Sequence, residues 1–140
     1  MDRHELEDLE IWRKARELAV SVYREVVPTL PEDERWGLAS QLRRASVSIV
    51  ANIAEGHGRY YFQERARSCY LARGSLEEVE TLLILAQDLG YLKGQEAALI
   101  AKVHDLRRML NSYVRYLKGR AEGRPKARPR KGQDGADRGK

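Results

Sequence analysis

The chain has 140 residues, of which 42% are hydrophobic and 34% charged, and this mix suits one mainly helical domain. No apolar run approaches the roughly 18 residues of a membrane span, and the N-terminus lacks a signal-peptide pattern. The single cysteine, Cys69, has no partner for an intramolecular disulfide. We therefore expect a cytoplasmic protein that does not contact membranes. The net charge of +5 resides beyond residue 118, because residues 1–118 hold 18 Lys+Arg against 18 Asp+Glu.

The first predicted helix covers residues 9–27 and follows an acidic N-terminal segment at residues 1–8. Its apolar residues recur at spacings of three and four, which is the pattern of one helix face. These residues are Trp12, Ala15, Ala19, Val22, Tyr23 and Val26, with Ile11 and Leu18 widening the face. Pro28 and Pro31 end this helix, because proline lacks the backbone N–H that a helix interior needs.

The second predicted helix covers residues 31–55. Proline suits the first position of a helix, and the acidic residues 32–34 interact favourably with the positive end of the helix dipole. Its apolar face consists of Leu38, Leu42, Ala45, Ile49 and Ile53. The glycines within residues 56–58 end it.

The third predicted helix covers residues 60–89, and the fourth covers residues 94–118. Gly90 is a natural C-cap for the third helix, because glycine adopts the left-handed conformation easily. Gly74 and Ser75, in the middle of the third helix, would allow another backbone to approach closely. The apolar residues of the fourth helix alternate spacings of four and three, like a coiled-coil seam. They are Leu99, Val103, Leu106, Leu110, Tyr113 and Leu117.

The predicted connections are only a few residues long, and short connections make sequential helices pack as antiparallel neighbours. The sequence therefore predicts an all-α protein, an up-down-up-down four-helix bundle over residues 9–118. Residues 119–140 are rich in Gly, Pro, Lys and Arg and hold almost no apolar residue. We expect this basic tail to be disordered in isolation, because it has too little apolar surface to bury.

A polar stripe follows the second helix beside its apolar face. Its members, again spaced by three and four, are Gln41, Arg44, Ser48, Asn52 and Glu55. Arg73, Gly74 and Glu77 of the third helix are its candidate neighbours. Three interpretations stay open: an exposed polar face, a hydrogen-bonded network that sets the register of helices or subunits, and a ligand or catalytic site. We favour the network, because buried polar groups must be fully paired and so specify one arrangement.

Residue types that support catalysis are scarce in this sequence. No Glu-x-x-His pair of the di-iron type occurs, and the three histidines are not spaced for metal ligation. Cys69 falls on an apolar stripe, where a cysteine usually serves as a core residue. Ser46 and Ser48 lie mid-helix, without the sharp turn of a hydrolase nucleophile. We therefore predict a protein that is not an enzyme and needs neither metal nor cofactor.

The charges are unevenly distributed along the chain. Residues 1–10 carry five acidic residues and one arginine, whereas residues 102–118 carry five cations and one aspartate. On the fourth helix a basic face leads into the tail, with Tyr113 and Tyr116 beside it. That face consists of His104, Arg108, Asn111, Arg115 and Lys118. A solvated helix face, or pairing of this face with the acidic N-terminus of a neighbouring subunit, is the alternative interpretation.

Cations contact phosphates, and nearby aromatic rings can stack on unpaired bases. We therefore predict sequence-tolerant, salt-dependent binding of nucleic acid, RNA rather than DNA. The candidate contact residues are Arg107, Arg108, Arg115, Lys118, Arg120, Arg124, Lys126, Arg128, Arg130 and Lys131.

Several motifs of this chain occur together in a known family. The run GLASQLRRASVSIVANIAEG, residues 37–56, resembles the signature of the four-helix bundle proteins first noticed in intervening sequences of 23S rRNA genes. Further similar motifs, in the same order, are LEIWRKA at residues 9–15, LP with ER at 30–35, GR at 58–59, ARGSLEE at 72–78 and LGYL at 89–92. The resemblance covers about residues 6–118 and implies a homopentameric barrel of four-helix bundles.

More distantly, the chain resembles the accessory variability determinants of diversity-generating retroelements. That resemblance implies a pentamer whose partners are a reverse transcriptase and its RNA. Three hypotheses follow. The first is a homopentameric nucleic-acid-binding protein without catalytic activity. The second is a scaffold that binds another protein, such as a reverse transcriptase, with no direct nucleic-acid role. The third is a small-molecule or enzymatic site at the polar stripe.

Overall fold

The computed structural model describes residues 9–121, and within them the chain forms four long α-helices and no strand. They are α1 (Glu10–Ser21), α2 (Leu38–His57), α3 (Phe62–Asp88) and α4 (Glu96–Ala121). The prediction of an all-α protein with four helices is confirmed. None of the four helices is both long enough and apolar enough to cross a membrane.

All four helices contribute to one hydrophobic core. Fully buried leucine and isoleucine side chains from every helix meet there, and each contributes roughly 1.5–3 kcal/mol by leaving water. Examples are Leu18 of α1, Leu42 and Ile49 of α2, Leu76 and Leu83 of α3, and Leu106 and Leu110 of α4. The apolar stripes predicted for the second and fourth helices lie in this core, apart from Tyr113, which packs at its edge half-buried.

The buried face of α1 differs from the predicted one by a rotation about the helix axis. Ile11, Leu18 and Val22 are buried, whereas Trp12 is half-buried and Tyr23 is exposed. Ile11 and Leu18, which were predicted to widen the apolar face, therefore lie at its centre. After α1 the chain continues as a π-helical turn, Val22–Val26, in which both end valines are buried, as predicted, and Tyr23 is exposed.

The second helix begins later than predicted, at Leu38 rather than at residue 31. Short 3-10 turns at Val27–Thr29 and Glu32–Glu34 precede it. The side chain of Glu34 caps α2, because its Oε1 accepts a hydrogen bond of 3.0 Å from the backbone N–H of Leu38. The acidic residues 32–34 therefore lie before α2, and the residue that marks the helix start is Glu34 rather than Pro31.

Two glycines behave differently at the helix ends. Gly90 follows α3 with a φ of 79° and donates its N–H to the carbonyl of Gln87 at 2.9 Å, while Tyr91 donates to Ala86 at 2.9 Å. These two bonds form a Schellman cap, so the predicted C-cap is confirmed. Gly56, in contrast, does not end the second helix: it lies buried inside α2, and the helix continues to His57.

The last helix continues beyond its predicted end, so residues 119–121, which we assigned to the tail, are helical. Glycine at position 119 lowers helix propensity by about 1 kcal/mol but does not forbid the conformation. Buried Leu117 and the contacts of Arg120 with the rings of Phe62 and Tyr116 hold this final turn in place. The acidic segment at residues 1–8, and the tail from residue 122 onwards, lie outside the described residues.

Candidate nucleic-acid interface

The cations in the middle of α4 are already engaged by carboxylates. Arg107 forms two hydrogen bonds to Glu77, at 2.8 and 3.0 Å, and a third to Glu80. His104 Nε2 lies 3.1 Å from Glu80 Oε2. Arg107, a predicted phosphate contact, therefore has its charge balanced by two acidic groups. These contacts tie α4 to α3.

The predicted basic face of α4 does not stay together as one surface. Asn111 accepts a hydrogen bond of 2.7 Å from Arg73 of α3, and Lys118 donates one of 3.3 Å to the Tyr70 hydroxyl. Arg108 pairs instead with Asp105 and lines a groove of about 540 Å³ between α4 and the start of α1. In the last two turns of α4, Arg115, Lys118 and Arg120 form no ion pair with a carboxylate among the described residues.

At the C-terminal end of α4, cations alternate with aromatic rings. Arg120 donates a hydrogen bond of 2.8 Å to the Tyr116 hydroxyl, and its guanidinium lies 4.9 Å from the centre of the Phe62 ring. Lys118 lies 5.8 Å from the centre of the Tyr70 ring. Cations over aromatic faces keep their charge while they remain accessible. This part of the predicted site is therefore brought together by the fold.

The α2–α3 turn lies beside this end of α4 and adds residues that the sequence analysis missed. Tyr60 and Tyr61 are 82% and 62% exposed, and their ring centres are 4.9 Å apart in an edge-to-face arrangement. Arg59 forms an ion pair of 2.9 Å with Glu55, and its carbonyl accepts a hydrogen bond of 2.7 Å from Arg65 Nε. The signal was the run RYYF at residues 59–62, which stands out because exposed turns rarely need three consecutive aromatic residues.

We call residues 59–73 and 113–121 the basic end. The first stretch holds four arginines and one glutamate, and the second holds three cations and no acidic residue. At the opposite end of the helices, the segment before α2 (residues 25–34) and the connection from α3 to α4 (residues 88–96) form an acidic end. The first holds four acidic residues, with Arg24 and Arg35 on either side of it, and the second holds two acidic residues and one lysine. A hydrogen bond of 3.2 Å from Tyr91 to Glu34 joins those two stretches. The helices therefore separate positive from negative charge along their length.

The polar stripe of the second helix divides into an inner and an outer part. Inside, the hydroxyls of Ser48 and Ser75 lie 2.8 Å apart, and Asn52 Nδ2 donates to Ser48 at 2.9 Å (carbonyl) and 3.0 Å (hydroxyl). This trio links α2 to α3 by hydrogen bonds, with Ser48 and Asn52 from the predicted polar stripe and Ser75 from outside it. Gln41 and Arg44 are exposed instead.

The remaining residues assigned to the polar network point elsewhere. Glu55 pairs with Arg59, Arg73 reaches Asn111, and Glu77 reaches Arg107, so two of the three bind α4 rather than α2. Gly74 is exposed and a Cβ there would meet nothing within 4 Å, so the predicted close approach at Gly74 is wrong. The close approach occurs at Gly56, where a Cβ would lie 2.6 Å from Ser68 Cβ. Gly74 is exposed because α3 is rotated so that Ser75 faces α2 and Gly74 faces solvent.

Two observations bear on reactive chemistry. Cys69 is buried, and burial raises the pKa of its thiol to about 11, so its thiolate is scarce near neutral pH. Within residues 9–121, no three His, Cys, Asp or Glu side chains come together as metal ligands would.

Comparison with known proteins gives one family match. A family model described as 23S rRNA-intervening sequence protein matches residues 7–112 of the chain. The match includes the α2–α3 turn but ends before residue 113, so the α4 part of the basic end lies beyond it. No curated protein matches the chain significantly.

Proposed function

Because the chain belongs to the 23S rRNA-intervening sequence protein family, we propose that it is a non-enzymatic, homopentameric helical bundle that binds RNA through its basic end and basic tail. The single observation that carries this proposal is the basic end itself, which contains seven cations, six aromatic residues and one glutamate, with a second glutamate, Glu55, paired to Arg59 beside it. The family name ties these proteins to ribosomal RNA sequences, and RNA offers the phosphates and bases that such a surface suits.

The contacts of α4 limit which cations serve the RNA. Arg107 and Arg108 are paired with carboxylates, so the proposal assigns phosphate contact to Arg115, Lys118 and Arg120. The tail residues Arg124, Lys126, Arg128, Arg130 and Lys131, which follow α4 in the sequence, are assigned the same role. No base-reading motif is needed for such contacts, so binding is sequence-tolerant and falls steeply with salt.

The assembly proposed is an antiparallel bundle in which several copies join. The antiparallel course is supported by the α3–α4 contacts, since Glu80 contacts His104, Glu77 contacts Arg107 and Lys118 contacts Tyr70. Residue numbers thus rise on one helix as they fall on the other. Self-association is supported by an apolar patch of Val20, Tyr23 and Val47, defined here as the α1–α2 patch. Its members are 41%, 43% and 48% exposed, and clustered exposed apolar residues commonly mark interfaces.

The decisive experiment is a salt titration of RNA binding by fluorescence anisotropy. The full chain is compared with a chain ending at residue 121 and with the triple variant Arg115→Gln, Lys118→Gln, Arg120→Gln. Removing three phosphate contacts should weaken binding and reduce the slope of log K against log salt by roughly 2, at about 0.7 per contact on a single strand. Truncation should reduce the slope further.

A matched control removes three cations from elsewhere. The variant Arg35→Gln, Lys93→Gln, Lys102→Gln changes the net charge equally but leaves the basic end intact, so its RNA affinity should stay close to that of the unaltered chain. Absence of RNA binding by the full chain at low salt would contradict the proposal.

A protein-interaction scaffold is the alternative function, and the α1–α2 patch is the observation that favours it. Tyr23 and Val47 line a shallow groove together with Arg43 and Arg44. A specific protein partner, such as a reverse transcriptase, that stayed bound through nuclease treatment and high salt would support this alternative.

A further inference from the structure

We propose that the α2–α3 turn stacks unpaired nucleobases on Tyr60 and Tyr61, so that the ligand of the basic end is single-stranded rather than duplex nucleic acid. This inference rests on the proposed RNA-binding function and names the form of its ligand. It depends on three features of the turn: the accessibility of the two rings, their mutual angle, and the cations that surround them.

The two rings are accessible in a way that the other rings of the basic end are not. Tyr60 is 82% and Tyr61 is 62% exposed. A cation lies over each of the rings of Phe62, Tyr70 and Tyr116, whereas among residues 9–121 no Lys or Arg lies over Tyr60 or Tyr61. Exposing apolar rings to water is unfavourable, and an incoming base would remove that surface from water.

The angle between the rings selects a flexible ligand. The planes of Tyr60 and Tyr61 are 87° apart, with the edge of one ring against the other. Their faces therefore point in different directions, and two bases that stack on them must turn relative to each other. Bases in a duplex are already stacked on their neighbours and held parallel, so a double helix cannot supply them in this way. A single strand can turn its bases outward one by one.

Cations and a fixed backbone complete the site. Arg65 Nε donates a hydrogen bond to the carbonyl of Arg59, so it closes the turn on either side of the two tyrosines. Arg67 is exposed on the next turn of α3, and Arg120 lies against Phe62 at the first residue of α3. Arg65 and Arg120 both lie over the ring of Phe62, beside the two tyrosines, where they could contact the phosphates that link two stacked bases. Because the turn is already ordered, little conformational entropy is lost when the strand binds.

The experiment compares three labelled probes on the full-length protein at low salt. They are a 12-nucleotide single-stranded RNA, a 12-base-pair RNA duplex, and a 12-nucleotide abasic strand that retains phosphates but no bases. The unaltered protein should bind the single strand at least tenfold more tightly than the abasic strand, because stacking on aromatic side chains is worth about tenfold or more per base. Its affinity for the duplex should be lower than for the single strand, because the duplex offers no unpaired bases, although it carries more phosphates.

Variants of the turn separate stacking from charge. Tyr60→Leu with Tyr61→Leu should lose the tenfold preference for bases but retain the affinity for the abasic strand. Tyr60→Phe with Tyr61→Phe should keep the preference, because the rings remain. Trp36→Leu is the matched control, since Trp36 is 80% exposed but lies far from the basic end in the sequence, and it should change none of the three affinities.

The outcomes distinguish this inference from the function on which it rests. If all three probes bind equally well to the unaltered protein, stacking is wrong while RNA binding by charge stands. If none binds, both fall together. A leucine variant that retains the preference for bases also overturns the assignment to Tyr60 and Tyr61. A single-stranded DNA of the same sequence identifies the source of the strand: the tighter of RNA and DNA is the preferred ligand, and stacking predicts the same tyrosine dependence for both.

Discussion

At the scale of single residues, two glycines that both lie within helices have opposite structural roles. Gly56 is buried in α2, where a Cβ would lie 2.6 Å from Ser68 Cβ and 3.3 Å from the carbonyl oxygen of Arg65. Gly74 lies exposed in α3 with open space around it. Neither has a positive φ, so the difference comes from packing between helices and not from backbone conformation.

This contrast predicts opposite effects of the same substitution. Gly56→Ala should lower the free energy of unfolding by about 1–3 kcal/mol, because the new methyl group forces α2 and α3 apart. Gly74→Ala should leave it unchanged or raise it by up to about 1 kcal/mol, because alanine is the better helix former. Urea unfolding followed by circular dichroism measures both. Equal effects at the two positions would show that α2 and α3 do not pack as described.

At the scale of helices, buried and half-buried polar contacts set how the elements meet. Glu34 caps α2 with one carboxylate oxygen and accepts a hydrogen bond from Tyr91 with the other. It thereby joins the start of α2 to the segment that follows α3. Glu80 has a similar role between α3 and α4, because it binds both Arg107 and His104.

Removing the Glu34 cap should weaken the start of α2. Glu34→Ala leaves the N–H of Leu38 without its acceptor, and we expect the free energy of unfolding to fall by about 1 kcal/mol, as for other lost helix caps. Asp33→Ala is the control, because Asp33 is exposed in the preceding turn and should change stability little. Hydrogen exchange at Leu38 is the direct measurement, and undiminished protection in Glu34→Ala would argue against the cap.

The carboxyl group of Glu80 should make stability depend on pH. Burial raises its pKa, but the hydrogen bonds and charges of Arg107 and His104 outweigh burial and hold the pKa below the usual value. A carboxyl whose pKa is lower in the folded state stabilises the fold above its unfolded pKa of about 4.3. That contribution is lost as the pH falls through the folded pKa.

We therefore expect the unfolding midpoint in urea to fall as the pH is lowered from about 5 towards 3. In Glu80→Gln the change should be shallower, because the titrating group is gone. Glu78→Gln serves as control, since Glu78 is exposed on the same helix and its removal should leave the pH dependence as it is. Identical pH profiles for Glu80→Gln and the unaltered chain would refute this role.

At the scale of the whole molecule, the helices carry positive charge at one end and negative charge at the other. Such a distribution steers a polyanion to the basic end and keeps it from the acidic end. If several copies assemble with their basic ends on one side, weak contacts of each copy add up, because linked sites gain effective concentration. In such an assembly, RNA binding would be strengthened by the number of basic ends that lie on one side.

The assembly itself is testable by sedimentation. A pentamer of the 16.1 kDa chain should sediment at about 80 kDa. The pair Tyr23→Lys and Val47→Lys places two cations in the α1–α2 patch and should produce monomers, while the pair Tyr60→Lys and Tyr61→Lys at the basic end should not. A monomeric unaltered chain would end the pentamer proposal, and RNA affinity measured on the monomeric variant would report the contribution of avidity.

The sequence alone determined that this is a four-helix protein and where most helix ends lie, because apolar spacing and glycine caps are local signals along the chain. It also placed Ser48 and Asn52 of α2 on one polar helix face, but their partner Ser75 of α3 was predicted only to allow a close backbone approach. Only the tertiary structure decided which cations stay available: Arg107 meets Glu77, thirty positions away, whereas Lys118 and Arg120 meet aromatic rings. The tertiary structure also places the α2–α3 turn beside Arg120, which contacts the ring of Phe62. Such pairings depend on how each helix is rotated and aligned against its neighbour, and those variables are set by core packing, which no local pattern contains.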